Sequence, residues 1–471
     1  MTATKHATQE HSSVAQPTWS EALKFWFWLG CMSFGGPAGQ IALMHEELVM
    51  RRRWISEKRY LHALHYCMLL PGPEAQQLAT YTGWLMHGTR GGIAAGALFV
   101  LPSLVLLIVL SWAYTAWGQH PWGQALLWGL KPAVTALVLQ AAHRLALRTL
   151  KARWLWVLAG LSLLGMLSGL PFALIIAGAA ATGYFMSRQS AVDFRTPTKA
   201  DPAPAIDANT TENIRRILAN EVKPPEARCA SPAWLDDDTP APAHTLYSHP
   251  RLVRALAWGV GLWAVSLGLI ALLFGLGHTL TLMGGFFTQA ALLTFGGAYA
   301  VLPFVTQAAV VHYGWLSAAQ MMDGLALGET TPGPLIMVVA FVGFLGGYSQ
   351  ALFGDPVLGG IVAACVVTWF TFLPSFVFIL AGGPLVESTR HMPSLAGPLQ
   401  GITAAVIGVI VHLAGVFARQ TWLPGGWHML PDLAAVALTL LATWLLIRRQ
   451  LSVFKLLGLC TALGLVWQLL V

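Results

Sequence analysis

Charged residues are scarce in this chain. Only 10% of its 471 residues are Asp, Glu, Lys or Arg, whereas 56% are hydrophobic, and the mean hydropathy is +0.62. Too few polar side chains remain to cover the surface of a soluble domain of this length. A helical bilayer crossing needs about 20 apolar residues, and such runs occur at residues 93–117, 122–145, 252–274 and 357–380. The composition therefore predicts an all-α polytopic membrane protein.

The sequence lacks several motifs that bind metals, nucleotides or nucleic acids. The five cysteines are scattered and form no CxxC pair, so neither a zinc site nor a disulfide framework is predicted. No GxxxxGK[ST] loop occurs, which argues against ATP-driven pumping by this chain alone. The net charge of +7 comes from cations in short loops, without the aromatic interleaving typical of a nucleic-acid surface. We expect no metal, no cofactor and no nucleic acid, and the lipid bilayer as the main partner.

A polar segment divides the chain in two. Residues 189–250 lack apolar runs, contain many prolines and carry an acidic run at residues 236–238. This composition is typical of a disordered linker, which the positive-inside rule places in the cytoplasm. We expect an N-terminal transport repeat over residues 1–188 with six apolar segments, and a C-terminal repeat over residues 251–471 with seven.

The two sides of the linker repeat each other. Three motifs recur at one offset of 261 residues, and a fourth, Leu-Pro-Ser, recurs at residues 101–103 and 373–375. Matches in one order at nearly constant spacing indicate a duplicated transporter architecture. The three motifs are SFGG at 33–36 with TFGG at 294–297, WIS at 54–56 with WLS at 315–317, and PGP at 71–73 with PGP at 332–334.

Charge predicts that the repeats are inverted. No Lys or Arg occurs between Gly275 and Pro356, which marks the loops there as external, whereas the equivalent first-half loops carry several cations between Arg51 and Arg90. Both ends of residues 60–87 are then cytoplasmic, so this segment must enter and leave on one side. We expect re-entrant hairpins with broken helices at each FGG and PGP motif. The N-terminus is then cytoplasmic and the C-terminus periplasmic.

The broken helices are the predicted site. Backbone groups at a helix break inside a membrane need partners from protein, water or substrate, and a helix N-terminus presents N–H groups and a positive dipole end that suit an anion. Hydroxyl groups beside the turns add donors, and glycines let an oxyanion approach the backbone. The predicted substrate-binding residues are Ser33, Phe34, Gly35, Gly36, Pro37, Gln40, Pro71, Gly72, Pro73, Glu74, Gln76, Gln77, Thr294, Phe295, Gly296, Gly297, Glu329, Thr330, Thr331, Pro332, Gly333 and Pro334.

Three ionisable residues leave alternatives open. Glu74 follows the first PGP and Glu329 precedes the second, and each either satisfies nearby backbone donors or couples transport to protons. Lys131 is the one cation that the predicted topology buries, and it either attracts the anion or leans toward an interface. The residues alone thus leave the transported species unnamed.

The motifs resemble those of a known family. FGGPAGQ at residues 34–40, LLPGPEAQQLA at 69–79 and GETTPGP at 328–334 are similar to signatures of chromate ion transporters of the long, two-domain type. The resemblance implies duplicated halves of opposite orientation and a secondary transporter that exports chromate and confers chromate resistance, with sulfate as a chemical analogue. The chain departs from the pattern in its long linker and in Ala298, which stands where the first half has Pro37.

The resulting expectation is alternating access in the bacterial inner membrane, with chromate bound at the paired helix breaks. A sulfate or other oxyanion carrier, or an anion channel, is the alternative. A membrane-embedded enzyme is disfavoured because no carboxylate cluster lies at a predicted membrane face. Uniport and antiport with protons or anions stay open, as does pairing of two copies of the chain.

Overall fold

The computed structural model describes residues 15–34, 36–118, 120–189, 233–236, 239, 242–295, 298–388, 396–423, 432–449 and 451–470. Within these ranges the chain is helical, with a single isolated β-bridge between Ile55 and Leu235. This confirms the predicted all-α architecture of two homologous halves with broken helices.

The first half contains seven α-helices, counted over its described residues. The first three helices are short, and the next two, with 44 and 29 residues, are the longest of this half. The seven helices are α1 (Trp19–Met32), α2 (Gly36–His45), α3 (Glu57–Leu69), α4 (Glu74–Trp117), α5 (Pro121–Thr149), α6 (Arg153–Leu167) and α7 (Phe172–Gln189).

The second half repeats this order after one additional helix, α8 (His249–Phe274), which precedes the repeat and has no counterpart among the described helices of the first half. Short helices again come before longer ones. They are α9 (Thr279–Leu293), α10 (Ala298–Thr306), α11 (Ala318–Thr330), α12 (Val338–Ser349), α13 (Pro356–Ser388), α14 (Ala396–Trp422), α15 (Leu433–Arg448) and α16 (Val453–Leu470).

Helix length separates crossing helices from half-length arms. Five helices of the described chain, α4, α5, α8, α13 and α14, are long and apolar enough to cross a bilayer. In contrast, α1, α3, α9 and α11 have 13 to 15 residues, or about 20 Å at 1.5 Å per residue. Such arms reach only part of the way through a core about 30 Å thick, as re-entrant hairpins require.

The repeated W-[IL]-S motif marks the same local structure twice. Ser56 and Ser317 cap α3 and α11, each accepting a hydrogen bond from the backbone N–H three residues later. Trp54 N–H donates to Leu48 O, and Trp315 N–H donates to Ala309 O, both at 2.8 Å. The motif is therefore explained by the start of the second hairpin in each half.

Helix α4 contains a break at a position where the second half has a loop between two separate helices. His87 and Gly88 leave helical geometry, and Gly88 has a positive φ of 63°. The equivalent position in the second half is the loop between α12 and α13. Residues 74–86 of α4 thus form the second arm of a hairpin, and the rest of α4 forms a crossing helix, as the predicted boundary at residue 87 required.

The last two helices of each half pack against the other half. The central helices α4 and α13 pack against each other, as do α5 and α14. The pair α6 and α7 packs on α14 of the other half, whereas α15 and α16 pack on α5. The main hydrophobic cluster consequently contains residues of both halves, including Leu137, Phe287 and Phe417. Each half therefore completes the core of the other.

The described end of the 189–250 segment contacts the first half. Leu235 is 2% exposed and belongs to the core cluster around α1 and α3. Its backbone exchanges hydrogen bonds with Trp54 O and Ser56 N–H, and His244 Nε2 lies 2.8 Å from Trp84 O. Most of the predicted disordered linker lies outside the described residues, so its disorder stays a prediction.

The inverted arrangement predicts opposite labelling of two equivalent surface positions. Arg51 and His312 are separated by the repeat offset of 261 residues, and both are exposed. After the native cysteines are replaced, we expect Arg51→Cys to react with a membrane-impermeant maleimide only in everted vesicles. His312→Cys should react in intact spheroplasts. Labelling of both cysteines from one side would contradict the inversion.

Candidate functional site

The four helix breaks meet in two crossed pairs. Gly72 N–H of the first PGP donates to Thr294 O at the second-half TFGG break, at 2.7 Å. Gly333 N–H of the second PGP donates to Ser33 O at the first-half SFGG break, also at 2.7 Å. Each half therefore supplies the partner for the other half's break. Exchanging the two halves converts one hydrogen bond into the other.

Glycine is required at the centre of both PGP turns. Gly72 and Gly333 have φ of +121° and +103°, a region that other residues rarely adopt. A Cβ atom at Gly72 would lie 2.4 Å from Ser375 Oγ, and one at Gly333 would lie 2.5 Å from Ser103 Cβ. The turns are thus pressed against a serine of the opposite half.

These serines explain the fourth repeated motif. Ser103 and Ser375 end the Leu-Pro-Ser triplets of α4 and α13, which the sequence showed as a repeat without a role. Both are buried, with 0% and 1% exposure. The signal for a site was present in the duplication, but only the packing shows that each serine faces the PGP turn of the other half.

Glutamine side chains brace both turns. Gln40 Nε2 donates to Gly333 O and, at 3.3 Å, to Ser33 O. Gln77 Nε2 donates to Pro71 O at 2.7 Å and to Ser375 Oγ at 3.3 Å. Because only an amide nitrogen can donate to these carbonyls, the contacts fix the orientation of both amides and direct each Oε1 elsewhere.

Several buried polar atoms around the breaks have no hydrogen-bond partner. Such atoms are costly, at about 1–3 kcal/mol each, and their concentration beside the two PGP turns indicates sites that a ligand or water completes. No solvent reaches them in this conformation. The unpartnered atoms near the breaks are Ser33 Oγ, Ser103 Oγ, Gln40 Oε1, Gln76 Oε1 and Gln77 Oε1.

The repeat is symmetric in its backbone but not in its side chains. Gln40, Gln76 and Gln77 correspond at the 261-residue offset to Val301, Met337 and Val338, which are buried and apolar. Most polar lining thus comes from the first half.

The predicted hydroxyl donors differ in availability. Thr294 Oγ1 donates to Ala290 O at 2.6 Å, Thr330 Oγ1 to Leu327 O at 2.8 Å and Thr331 Oγ1 to Gly328 O at 3.0 Å. Each is engaged with a carbonyl of its own helix. Ser33 is the predicted donor whose hydroxyl is unpartnered within the described chain.

Three prolines of the motifs lie within one residue of a helix start. Pro37 is the second residue of α2, and Pro73 occupies the N-cap position of α4. Pro334 precedes a 3₁₀ turn that leads into α12. No side chain caps α4, so its first N–H groups point back toward the Gly72 turn without a side-chain partner. Glu74, the first residue of α4, makes no hydrogen bond through its carboxylate within the described residues.

Glu329 lies in α11, the helix that precedes the second PGP turn. The residue is 8% exposed, and its carboxylate accepts a hydrogen bond of 2.5 Å from the Tyr299 hydroxyl of α10. Tyr299 thus links the hairpin of α9 and α10 to that of α11 and α12. The alternative roles of Glu74 and Glu329, in structure or in proton coupling, stay predictions.

Lys131 has a partner that the sequence analysis missed. Its Nζ lies 3.7 Å from Asp323 Oδ1, and Tyr114 donates to Asp323 Oδ2 at 3.0 Å. The three residues belong to α5, α11 and α4. An Asp in a predicted membrane arm was itself a signal of function, but the pairing becomes visible only when the halves are packed.

The other predicted residues lie at or beside the breaks. Phe34 contacts Phe454 of α16, with ring centroids 5.1 Å apart. Pro332 and Pro334 are buried next to Gly333. Gly35, Gly296 and Gly297 lie outside the described residues. Within the described ranges, no group of three or more His, Cys, Asp or Glu side chains could hold a metal ion.

Comparison with known proteins identifies the family. A family profile described as Chromate transporter matches residues 20–184 and 281–465, one match in each half. The chain belongs to the chromate transporter family. No match was found among solved structures.

Three relatives of this family align over most of the chain. A chromate transport protein of Pseudomonas aeruginosa is 32% identical, over 83% of this chain and 80% of its own length. One of Cupriavidus metallidurans is 26% identical over 86% and 84%. A probable chromate transport protein of Synechococcus elongatus is 27% identical over 88% and 87%.

The PGP geometry predicts a specific double variant. Gly333→Ala should lower transport more than about tenfold, because an L-residue at this φ costs about 1–2 kcal/mol and its Cβ overlaps Ser103. Adding Ser103→Gly removes the overlapping atoms and should restore part of the insertion and folding, measured by membrane level and monodispersity.

A matched control is Gly285→Ala in α9, where an added Cβ meets no atom within 4 Å. This variant should retain transport. Wild-type transport by Gly333→Ala would show that the turn tolerates a side chain and is not pressed against the opposite half.

Proposed function

We propose that this protein is a secondary transporter that exports chromate from the bacterial cytoplasm across the inner membrane and so confers chromate resistance. Membership of the chromate transporter family supports chromate as the substrate. The orientation follows from the positive-inside rule, with the N-terminus in the cytoplasm and the C-terminus in the periplasm.

The observation that carries the proposal is the crossed pairing of helix breaks around unpartnered hydroxyls. Ser33 and Ser103 flank the Gly333 turn, and both hydroxyls lack a partner within the described chain. A tetrahedral oxyanion accepts hydrogen bonds through every oxygen, so the two free hydroxyls at the Gly333 turn are chemically suited to it. The uncapped start of α4, beside the Gly72 turn, offers backbone donors of the same kind.

The sealing of these atoms favours a carrier over an open pore. No solvent reaches them, so an ion must wait for the breaks to separate on one side. Because the crossed hydrogen bonds join the two halves, rocking one half against the other would open one pair of breaks to each side in turn. This is alternating access between inverted repeats.

The membrane potential can drive the export. Moving one charge through 100 mV is worth about 2.3 kcal/mol, so a dianion leaving a negative interior gains about twice that amount. Coupling to protons or to a counter-anion is not required by these energetics. Sulfate has the same shape and charge as chromate, which makes a sulfate or general oxyanion carrier the alternative.

Transport in everted vesicles tests the proposal. We expect radiolabelled chromate to accumulate in everted inner-membrane vesicles that contain the protein, and an interior-positive potential to increase the rate. An ionophore that collapses the potential should reduce it. Excess unlabelled sulfate separates a chromate-selective carrier, which resists competition, from a general one. Uptake no higher than in vesicles without the protein would refute the proposal.

The free hydroxyls give a residue-level prediction. Ser33→Ala and Ser103→Ala should each lower chromate transport about tenfold, because each removes a hydrogen bond to a charged ligand. Stability should be unchanged or about 1 kcal/mol higher, since a buried unpartnered hydroxyl is removed. Transport rates and thermal unfolding of the purified protein measure both effects.

Ser162→Ala is the matched control, because the Ser162 hydroxyl is buried but bonds Leu158 O in its own helix. It should transport at the wild-type rate. If Ser33→Ala and Ser103→Ala behave like this control, the two hydroxyls do not contact the substrate.

A further inference from the structure

An ion pair joins the two halves away from the helix breaks. Lys131 comes from α5 of the first half and Asp323 from α11 of the second, and Tyr114 of α4 holds the other carboxylate oxygen. All three lie in helices of the predicted membrane region. Ionisable side chains at such positions are rare and usually functional.

The pair is loosely made. The distance of 3.7 Å between Lys131 Nζ and Asp323 Oδ1 exceeds a hydrogen bond, and Oδ1 is buried without a hydrogen-bond partner. The Asp323 side chain is only 6% exposed, whereas that of Lys131 is 28% exposed. The Lys131 side chain is therefore less enclosed by protein than its counter-charge.

A pair built only for stability would be closer and fully bonded, because burying charges is costly unless their geometry is good. A carboxylate that neutralises a less enclosed cation resembles a bound anion. It holds the cation's site when no other anion is present, and it can be exchanged for one.

We propose that the Asp323 carboxylate is a tethered competitor of the transported oxyanion, which occupies Lys131 in the empty protein and is displaced when the oxyanion binds there. This inference rests on the proposed function, because it concerns the same transported anion. Asp323 stays anchored by Tyr114 during the exchange, so the displaced charge remains in the protein.

The arrangement is one-sided. The equivalents of Asp323 and Lys131 in the opposite halves are His62 and Gln400, which cannot form the same pair of fixed charges. Asp323 is the sixth of the 13 residues of α11, in the half of that arm nearer the end that the charge pattern places outside. The exchange would thus act on the external side, where an exported anion leaves.

Equilibrium binding of radiolabelled chromate to the purified, detergent-solubilised protein tests the inference directly. Asp323→Asn removes the competitor and should tighten chromate binding about five- to tenfold. Lys131→Gln removes the cation and should weaken it by at least about tenfold. In the double variant the gain from Asp323→Asn should disappear, because the two changes act on one contact.

Asp355→Asn is the control for the loss of one carboxylate. Asp355 is exposed and caps the start of α13, and Asn caps a helix equally well. Its chromate affinity should equal that of the wild type. Weaker or unchanged binding by a monodisperse Asp323→Asn protein would overturn the inference.

Each single variant leaves one charge of the pair without its partner and could misfold for that reason. The double variant leaves no unpaired charge and therefore serves as the control for folding. If it is monodisperse and binds chromate as the wild type does, Lys131 is not a ligand and the inference is wrong. Failure of the proposed function looks different, since wild-type protein would then bind and transport no chromate.

Discussion

The fold depends on one constraint, which is that backbone groups exposed where a helix stops inside a membrane must find partners. Two hydrogen bonds meet it here, from Gly72 to Thr294 O and from Gly333 to Ser33 O. Each bond joins a break in one half to a break in the other. Neither half could bury its interrupted helices alone, because the partner carbonyl is supplied by its duplicate.

This mutual dependence explains the other shared features. The PGP glycines must lack a side chain because a serine of the opposite half fills the space beside them. The last two helices of each half pack on the other half, which ties the halves together outside the breaks as well. The surroundings of each break therefore belong to both halves.

Duplication kept the frame and let the side chains diverge. The caps at Ser56 and Ser317, the glycines and the Leu-Pro-Ser serines are repeated, because they define backbone geometry and close packing. Gln40, Gln76 and Gln77 are not repeated, and neither is the pair of Lys131 with Asp323. The repeated residues therefore keep the backbone frame, whereas the residues that differ make the two sides of the breaks chemically unequal.

The sequence by itself determined the helical class, the duplication and the places where helices break, because apolar run length, motif spacing, glycine and proline are local properties. Tertiary structure alone decided which break meets which, that Ser103 and Ser375 face the turns, and that Lys131 has Asp323 as its partner. These contacts join residues about 190 to 300 positions apart. No local pattern encodes them, because they exist only once the two halves are packed around each other.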